Sequence, residues 1–504
     1  MAVVWAITAA IVAIGVGEIV AAYPAPRSAP LSAVGEAVIG ATPDTVVEWA
    51  KQTFGTADKM VLQLGTVLLL TVVAATVGIV ARRRPMVAAA AVVVFTGIGA
   101  AAAITRPDAT PIWLLPSLAA GAAAGLVGAV LPRWALRDAR DDEPDHDPRV
   151  TQRRRFLTGG LVLAGAAATG GLVARGLSQS LAVSRARSRI TLPAPADPAV
   201  ALPTNTDLKV PGLSTWRTRN ADFYRIDTAL TTPSIDPDTY RLRIFGRVGR
   251  ELELSYRDLL ARPLRERDIT LTCVSNQVGG PLVGNARWLG VPLADLLDEV
   301  EPDPSADQLV GRSVDGFTAG APTALCRDGR DALLAVGMNG APLPIEHGFP
   351  VRMIVPGLYG YVSATKWLTE LELTSFADFD AYWVPRGWSA EGPIKTESRI
   401  DTPHDHSRAR AGRVPVAGVA WAQHRGVAAV EVRVDGGAWH PATLSEVPSD
   451  DTWRQWVWYW DAEPGDHLIQ VRATDGAGDT QIETPSPVAP NGATGWHRIS
   501  VSVE

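Results

Sequence analysis

Cysteine is nearly absent: Cys273 and Cys326 are the only two in 504 residues, too few for a cysteine-rich zinc or iron–sulfur site. Excess positive charge is missing as well. The formal net charge is −6, which argues against a nucleic-acid partner. Charge of either sign is scarce in the first third, where Ala, Val, Gly and Leu dominate. Histidine is absent from every long apolar stretch, because the eight histidines are His146, His347, His404, His406, His424, His440, His467 and His497. A haem path through a membrane usually needs His axial ligands, so no haem is expected in this chain.

What fills the first third is apolar and long. Residues 2–22, 60–81, 86–105 and 112–132 each approach the roughly 20 apolar residues that cross a bilayer, and 156–178 adds a fifth stretch. Their small residues permit close helix packing. Arg82–Arg84 lie between stretches two and three, and Arg133, Arg137, Arg140, Arg149 and Arg153–Arg155 between four and five. Cytoplasmic loops carry such an excess. The expectation is therefore a plasma-membrane, multi-pass protein with residues 1–135 as a four-span region. Residues 136–178 then form a basic cytoplasmic loop and a fifth span, and everything beyond is extracytoplasmic. Gln152-Arg153-Arg154-Arg155-Phe156-Leu157 resembles a twin-arginine export signal, though a plain basic anchor fits the motif equally. No small-x-small cleavage site stands out, which favours an uncleaved anchor. Glu18, near the end of the first stretch, reads as interfacial rather than functional.

The remainder reads as folded in water. Residues 179–210, rich in Ser, Arg, Pro and Ala without a clear period, suggest an exposed linker. From 211 to 380 short strand-like runs alternate with helical ones, a mixed α+β unit. YRLRIFGRV (240–248), ITLTC (269–273) and ARWLGV (286–291) are predicted strands, SYRDLLAR (255–262) and PLADLLDEV (292–300) predicted helices. HGFPVRMIVPGLYGYVSATKWLTELELT (347–374) predicts two strands around a Gly-rich turn. After a bridge at 381–411, residues 412–504 alternate apolar and polar at period two between DGG, PGD and DGAGD turns, which predicts an immunoglobulin-like β-sandwich. Six of the 16 Trp fall between 421 and 460, enough to fill a small sandwich core.

Cys273 is the most informative residue. It ends a strand-like run and opens a Gly-rich loop in TLTCVSNQVGGPLVGNARWLGVPLADLLDE (270–299). A lone thiolate there suits one soft metal whose other ligands come from a cofactor. The segment resembles the sulfite oxidase family of molybdenum–pterin enzymes, and the resemblance extends over about 211–504. It implies a molybdenum–molybdopterin cofactor with a single pterin, with Cys273 as the metal ligand. By the same resemblance Arg219 and Asn220 match the family's Arg-Asn pair, with Arg219 holding substrate and Asn220 and Tyr224 touching the pterin. His347 and Arg352, in EHGFPVRMIVPG, match positions binding pterin and phosphate, and Ser363, Thr365 and Lys366, in GYVSATKW, match a phosphate-gripping turn. A terminal phosphate wants Arg, Lys and free backbone N–H groups, which a Gly-rich turn supplies.

Departures from the family are local. Asn276 is kept, but Gln277 and Val278 stand where sulfite oxidases carry a substrate-binding Arg. Ala221 replaces a His, and Trp388 lies nearest the position of the active-site Tyr. Loss of basic and phenolic groups weakens recognition of a small dianion. The resemblance thus implies oxo transfer on a small sulfur- or nitrogen-containing substrate. A reductase of S-oxides or N-oxides, such as oxidised methionine in proteins, is the rival. A membrane-tethered binding module with a degenerate cofactor domain is the non-enzymatic alternative. Implied partners are a separate electron-transfer protein, the lipid bilayer and a second copy of the chain through the C-terminal domain.

Overall fold

The computed structural model describes residues 2–21, 28–42, 46, 58–84, 86–105, 109–138, 181–229 and 232–504. It divides into two compact units, Met1–Ala182 with Thr228–Thr231, and Val183–Asp227 with Thr232–Glu504.

The first unit is helical. Helices Ala2–Ala21, Asp58–Ala81, Met86–Ile104 and Leu115–Asp138 stand where the four apolar stretches predict them, and Pro30–Ala41 adds a helix within a segment expected to be a loop. Small residues let these helices touch. A Cβ built on Gly121 would lie 2.1 Å from Thr96 Oγ1, and one on Gly99 would lie 2.8 Å from Ser117 Oγ. Among the described residues one helix, Met86–Ile104, is long and apolar enough to cross a membrane, with mean hydropathy 2.3. Within the described residues the other three contribute the apolar runs Ala6–Ala21, Leu68–Ala81 and Pro111–Val127. The fifth stretch, 156–178, and the Arg153–Arg155 motif lie outside the described residues.

The second unit carries four sheets. One runs β2 (Leu252–Ser255), β1 (Arg241–Gly246), β10 (Leu368–Thr374), β5 (Gln308–Ser313), β6 (Thr318–Pro322). Its β1–β10 pair is parallel and its other pairs are antiparallel. A second runs β3 (Arg265–Thr272), β4 (Val283–Pro292), β7 (Leu333–Met338), β8 (Ala341–Pro342), with β9 (Arg352–Ile354) also on β7. The predicted helices form at Tyr256–Leu260, where Ser255 and Asp258 make a reciprocal capping box, and at Leu293–Val300, whose Leu293, Leu296, Leu297 and Val300 are buried. This is the expected α+β unit.

The C-terminal region is β-rich. Its sheets are β11 (Glu397–Thr402), β13 (Gly412–Trp421), β17 (Arg454–Ala462), β16 (Thr443–Leu444), and β12 (Ser407–Ala409), β19 (His497–Val503), β18 (Gly465–Asp475), β14 (Val427–Val434), β15 (His440–Pro441). Val416, Ala420 and Trp456 from the first sheet meet Val432, Ile469, Val471 and Ile499 from the second in one core.

Three features add to or differ from expectation. The C-terminal sheets begin at Glu397, because β11 and β12 lie within the stretch read as a bridge. Residues 183–210 are mostly exposed, as expected, with Val183 and Thr206 buried, but the segment is also tied down: Arg187 Nε and Nη2 donate to Leu343 O and Pro342 O at 2.6 and 2.7 Å, and Leu208 N donates to Gln455 Oε1 at 2.8 Å. Lastly, the tryptophans divide. Trp456 and Trp460 fill the C-terminal core, whereas Trp421 and Trp453 belong to the core of the α+β part.

Candidate functional site

Cys273 follows directly on β3, and its loop is closed before β4 begins. Cys273 N donates to Leu282 O at 3.0 Å, Asn276 N to Cys273 O at 3.0 Å, and Leu282 N to Asn276 Oδ1 at 2.8 Å. Gly279 adopts φ +76°, a left-handed conformation that glycine takes without strain. The result is a tight, self-bonded loop that buries the thiol, which is 8% exposed. Neither cysteine forms a disulfide. Cys326 is fully buried, and burial pushes its thiol up to about 12, so it is inert.

Tyr224, Arg352 and His347 are gathered near this loop. Burial, and next the Cys273 charge, raise the Tyr224 phenol above its ordinary range, while the Arg352 charge opposes them. Phe223 stacks on Tyr224 at 5.2 Å and meets His347 edge-on at 5.6 Å. His347 Nε2 lies 2.9 Å from Asn220 O, so Asn220 and His347 form one group. Burial lowers the His347 imidazole to about 4, leaving it neutral at pH 7. Arg352 Nη1 donates to His347 O at 3.1 Å, and its guanidinium lies 5.0 Å from the Trp288 ring centroid. Burial lowers Arg352 to about 10, still charged at pH 7, and its Nε is buried without a hydrogen-bond partner.

Lys366 stands beyond Arg352. Its Nζ donates to Asp227 Oδ2 at 2.9 Å and to Glu346 O at 3.3 Å, and lies 4.5 Å from the Trp367 ring centroid. Burial lowers its ammonium to about 8 despite Asp227. Gly348, at φ +109°, is required here: a Cβ would come within 3.1 Å of both the Arg352 and the Lys366 side chains. Ser363 and Thr365 are fully buried nearby, but their hydroxyls turn inward. Ser363 Oγ donates to Leu358 O and Tyr359 O, and Thr365 Oγ1 to Gly311 O. Arg219 is not drawn in. Its side chain is 80% exposed and its Nε donates to Asp222 Oδ2 at 2.5 Å.

Several supporting residues were not foreseen. Asn339 Nδ2 donates to Asn220 Oδ1 at 2.7 Å and to Thr218 O at 2.9 Å, and its Oδ1 accepts from Arg287 N at 2.9 Å. The Asn339–Gly340 pair, with φ +52° and +79°, forms the tight β7–β8 turn. That dipeptide was the available signal. Asp227 and Trp288 had none, since only the fold sets them against Lys366 and Arg352. The C-terminal region also reaches β3: Gln423 Nε2 donates to Thr270 O and Thr272 Oγ1 at 3.0 and 2.9 Å, and Trp453 N to Thr270 Oγ1 at 2.8 Å. A surface groove of about 490 Å³ is lined in part by Lys395, Thr396, Arg425 and Asp475, whose polar groups are engaged: Arg425 and Thr396 donate to Asp475, and Lys395 donates to Gly492 O.

Residues 229–383 match the family described as oxidoreductase molybdopterin binding domain. The mitochondrial sulfite oxidase of Rattus norvegicus is 30% identical over 335 residues, which cover 54% of this chain and 59% of that protein. The chain thus spans about three fifths of the length of this relative. The protein-methionine-sulfoxide reductase catalytic subunit MsrP of Burkholderia mallei is 34% identical over 251 residues, covering 45% of this chain and 72% of that one. Among solved structures, the sulfane dehydrogenase SoxCD of Paracoccus pantotrophus aligns with TM-score 0.50 and 22% identity, over 58% of this chain and 84% of that chain.

Proposed function

Because the chain belongs to the sulfite oxidase family of molybdopterin oxidoreductases, we propose that it is an oxidoreductase holding molybdenum through Cys273 and acting on a sulfur-containing substrate. One observation carries this reading. The Cys273 thiol follows a buried strand, Tyr224 feels both it and the buried Arg352, and Arg352 in turn acts on the buried Lys366; Arg352 Nε is a donor left free. The residues suit a phosphate-bearing pterin with many acceptors: Arg352 Nε and Asn276 Nδ2 are buried donors with no hydrogen-bond partner, and an anion would relieve their desolvation. Tyr224, His347 and Asn220 would line the pterin, and Arg352 and Lys366 would take the phosphate. Ser363 and Thr365 would shape that turn through their backbone, since their hydroxyls are spent. When bound, the group would supply two-electron oxygen-atom transfer. This chain's residues would exclude water, orient the group, and keep His347 neutral as a hydrogen-bonding partner. Arg219, exposed and paired only with Asp222, would steer an anionic or oxo-bearing substrate.

Oxidation of a small sulfur oxyanion and reduction of an S-oxide are both supported by named relatives. The second is favoured by the uncharged Gln277 and Val278 after Cys273, and by an aromatic group in which Trp388 lies 5.9 Å from Tyr361 and 6.1 Å from Trp383. Such rings suit a thioether better than a dianion. Purified protein should be assayed with sulfite and an acceptor, and with methionine sulfoxide and a reduced donor. Turnover of neither would sink the sulfur-substrate reading.

The reading includes a membrane-anchored form with an extracytoplasmic catalytic part, supported by Met86–Ile104 and by the arginine distribution. It also includes an immunoglobulin-like C-terminal fold serving a homodimer, and a separate electron-transfer partner with no haem in this chain. A b-type haem spectrum in pure, detergent-solubilised protein would contradict the last point.

A further inference from the structure

The loop that carries Cys273 is gripped from outside by side chains of the C-terminal sheets. Arg399, on β11, donates from Nη1 to Gly280 O at 2.9 Å. Its other nitrogens are anchored, Nε on Asp401 Oδ1 at 2.6 Å and Nη2 on Ser214 Oγ at 3.0 Å, and Asp401 Oδ2 accepts from Ser214 N at 3.0 Å. Arg399 and Asp401 are 12% and 7% exposed at the side chain, so this is a fixed arm and not a surface pair. The second grip is steric. His497, at the start of β19, lies so close to Gly279 that a Cβ there would be 2.1 Å from Cδ2 of the ring and 2.2 Å from Nε2. His497 Nδ1 accepts from Ile400 N at 2.9 Å, which fixes the ring plane and leaves the proton of the neutral ring on Nε2. Burial, then the Arg399 charge, lowers His497 to about 4, consistent with a permanently neutral wedge.

We propose that Arg399 and His497 are positioning residues for the Cys273 loop, holding Gly280 by its carbonyl and Gly279 by contact so that the thiol is presented in a single, shielded geometry. The functional weight of this rests on the reading of Cys273 as the metal ligand; the positioning itself does not. A β-hairpin end needs no such outside support to close, since Cys273–Leu282 and Asn276–Leu282 bonds already close it. What the arm and wedge add is resistance to the local opening that would bare the sulfur.

The test uses full-length, cofactor-free protein with Cys326→Ser, so that Cys273 is the sole thiol. The readout is its rate of alkylation by a maleimide under native conditions, followed by mass spectrometry. Arg399→Ala and His497→Ala should each raise that rate by about tenfold or more with the thermal transition still cooperative, because loop opening, not global unfolding, then limits access. Arg399→Lys, which keeps a cation and one donor to Gly280 O, should recover part of the protection. Unchanged rates in both alanine variants would overturn the proposal. So would an increase matched by an equal loss of protection throughout the chain in hydrogen exchange. Should an alanine variant not fold, Arg399→Gln and His497→Asn are read the same way. The two readings separate cleanly: if Cys273→Ser retained molybdenum, the ligand assignment would fail while the alkylation result could still stand, and the reverse pattern would fail only the positioning.

Discussion

At the scale of the residue, burial governs the titration of the groups around Cys273. Glu397 is a carboxyl that follows the same rule. It is 4% exposed, its Oε1 has no hydrogen-bond partner, and burial raises its carboxyl to about 8, with Lys395 only partly opposing. A carboxyl whose folded value is raised contributes full stability below its unfolded value near 4.5 and loses it as pH climbs towards about 8, because the unfolded chain ionises first. Glu397→Gln should therefore leave stability near pH 4.5 almost unchanged. Above pH 8 it should increase stability by on the order of a few kcal/mol, read from denaturant midpoints across that range. A pH-independent effect would mean that Glu397 is ionised in the folded state. The sequence marked Cys273, Asn220, Tyr224, His347, Arg352 and Lys366 because each stands in a local pattern. Asp227 and Glu397 were not so marked, and Trp288, though within the ARWLGV run, gave no sign of its partner, since their roles arise from chain crossings between distant segments.

At the scale of the element, β3 is the strand that leads into Cys273; its ladder is with neighbouring β4, and further hydrogen bonds reach it from far along the chain. Gln423, fully buried, donates to Thr270 O and Thr272 Oγ1. Gln423→Leu keeps the volume but leaves both acceptors dry, and should cost about 1–3 kcal/mol in chemical denaturation. A loss below the error of that measurement would show that β3 does not need this support. Strand-like runs located β1, β3, β4 and β10, and period-two alternation located β13, β17 and β18, within a residue or a few. Among the strands that escaped, β11 and β12 are short and flanked by Pro and charge. The anchoring of the exposed stretch 183–210 escaped for a related reason. Its contacts are made by single side chains such as Arg187 reaching backbone carbonyls, and these leave no period to read.

At the scale of the whole molecule, the chain divides into two compact units, and the proposed function assigns anchoring to one and chemistry to the other. Replacing Arg153 and Arg154 with Lys should strand the catalytic part on the cytoplasmic side in a protease-protection assay while Met86–Ile104 still partitions with membranes. Unchanged export would reduce that motif to a basic anchor. Length and apolarity were legible for the helices, which form at Ala2–Ala21, Asp58–Ala81, Met86–Ile104 and Leu115–Asp138. The division of tryptophans was illegible, because which core a Trp joins depends on long-range contacts such as those of Trp453 with Trp216 O and Thr270 Oγ1, not on spacing. The central claim is that Cys273 is the protein's bond to its metal. Molybdenum and pterin should be quantified in full-length protein matured in a pterin-competent host, alongside Cys273→Ser and Cys326→Ser. The account predicts about one molybdenum per chain in the parent and in Cys326→Ser, with Cys273→Ser losing the parent's Mo(V) resonance and most of its metal. Normal metal content and an unaltered resonance in Cys273→Ser would contradict it.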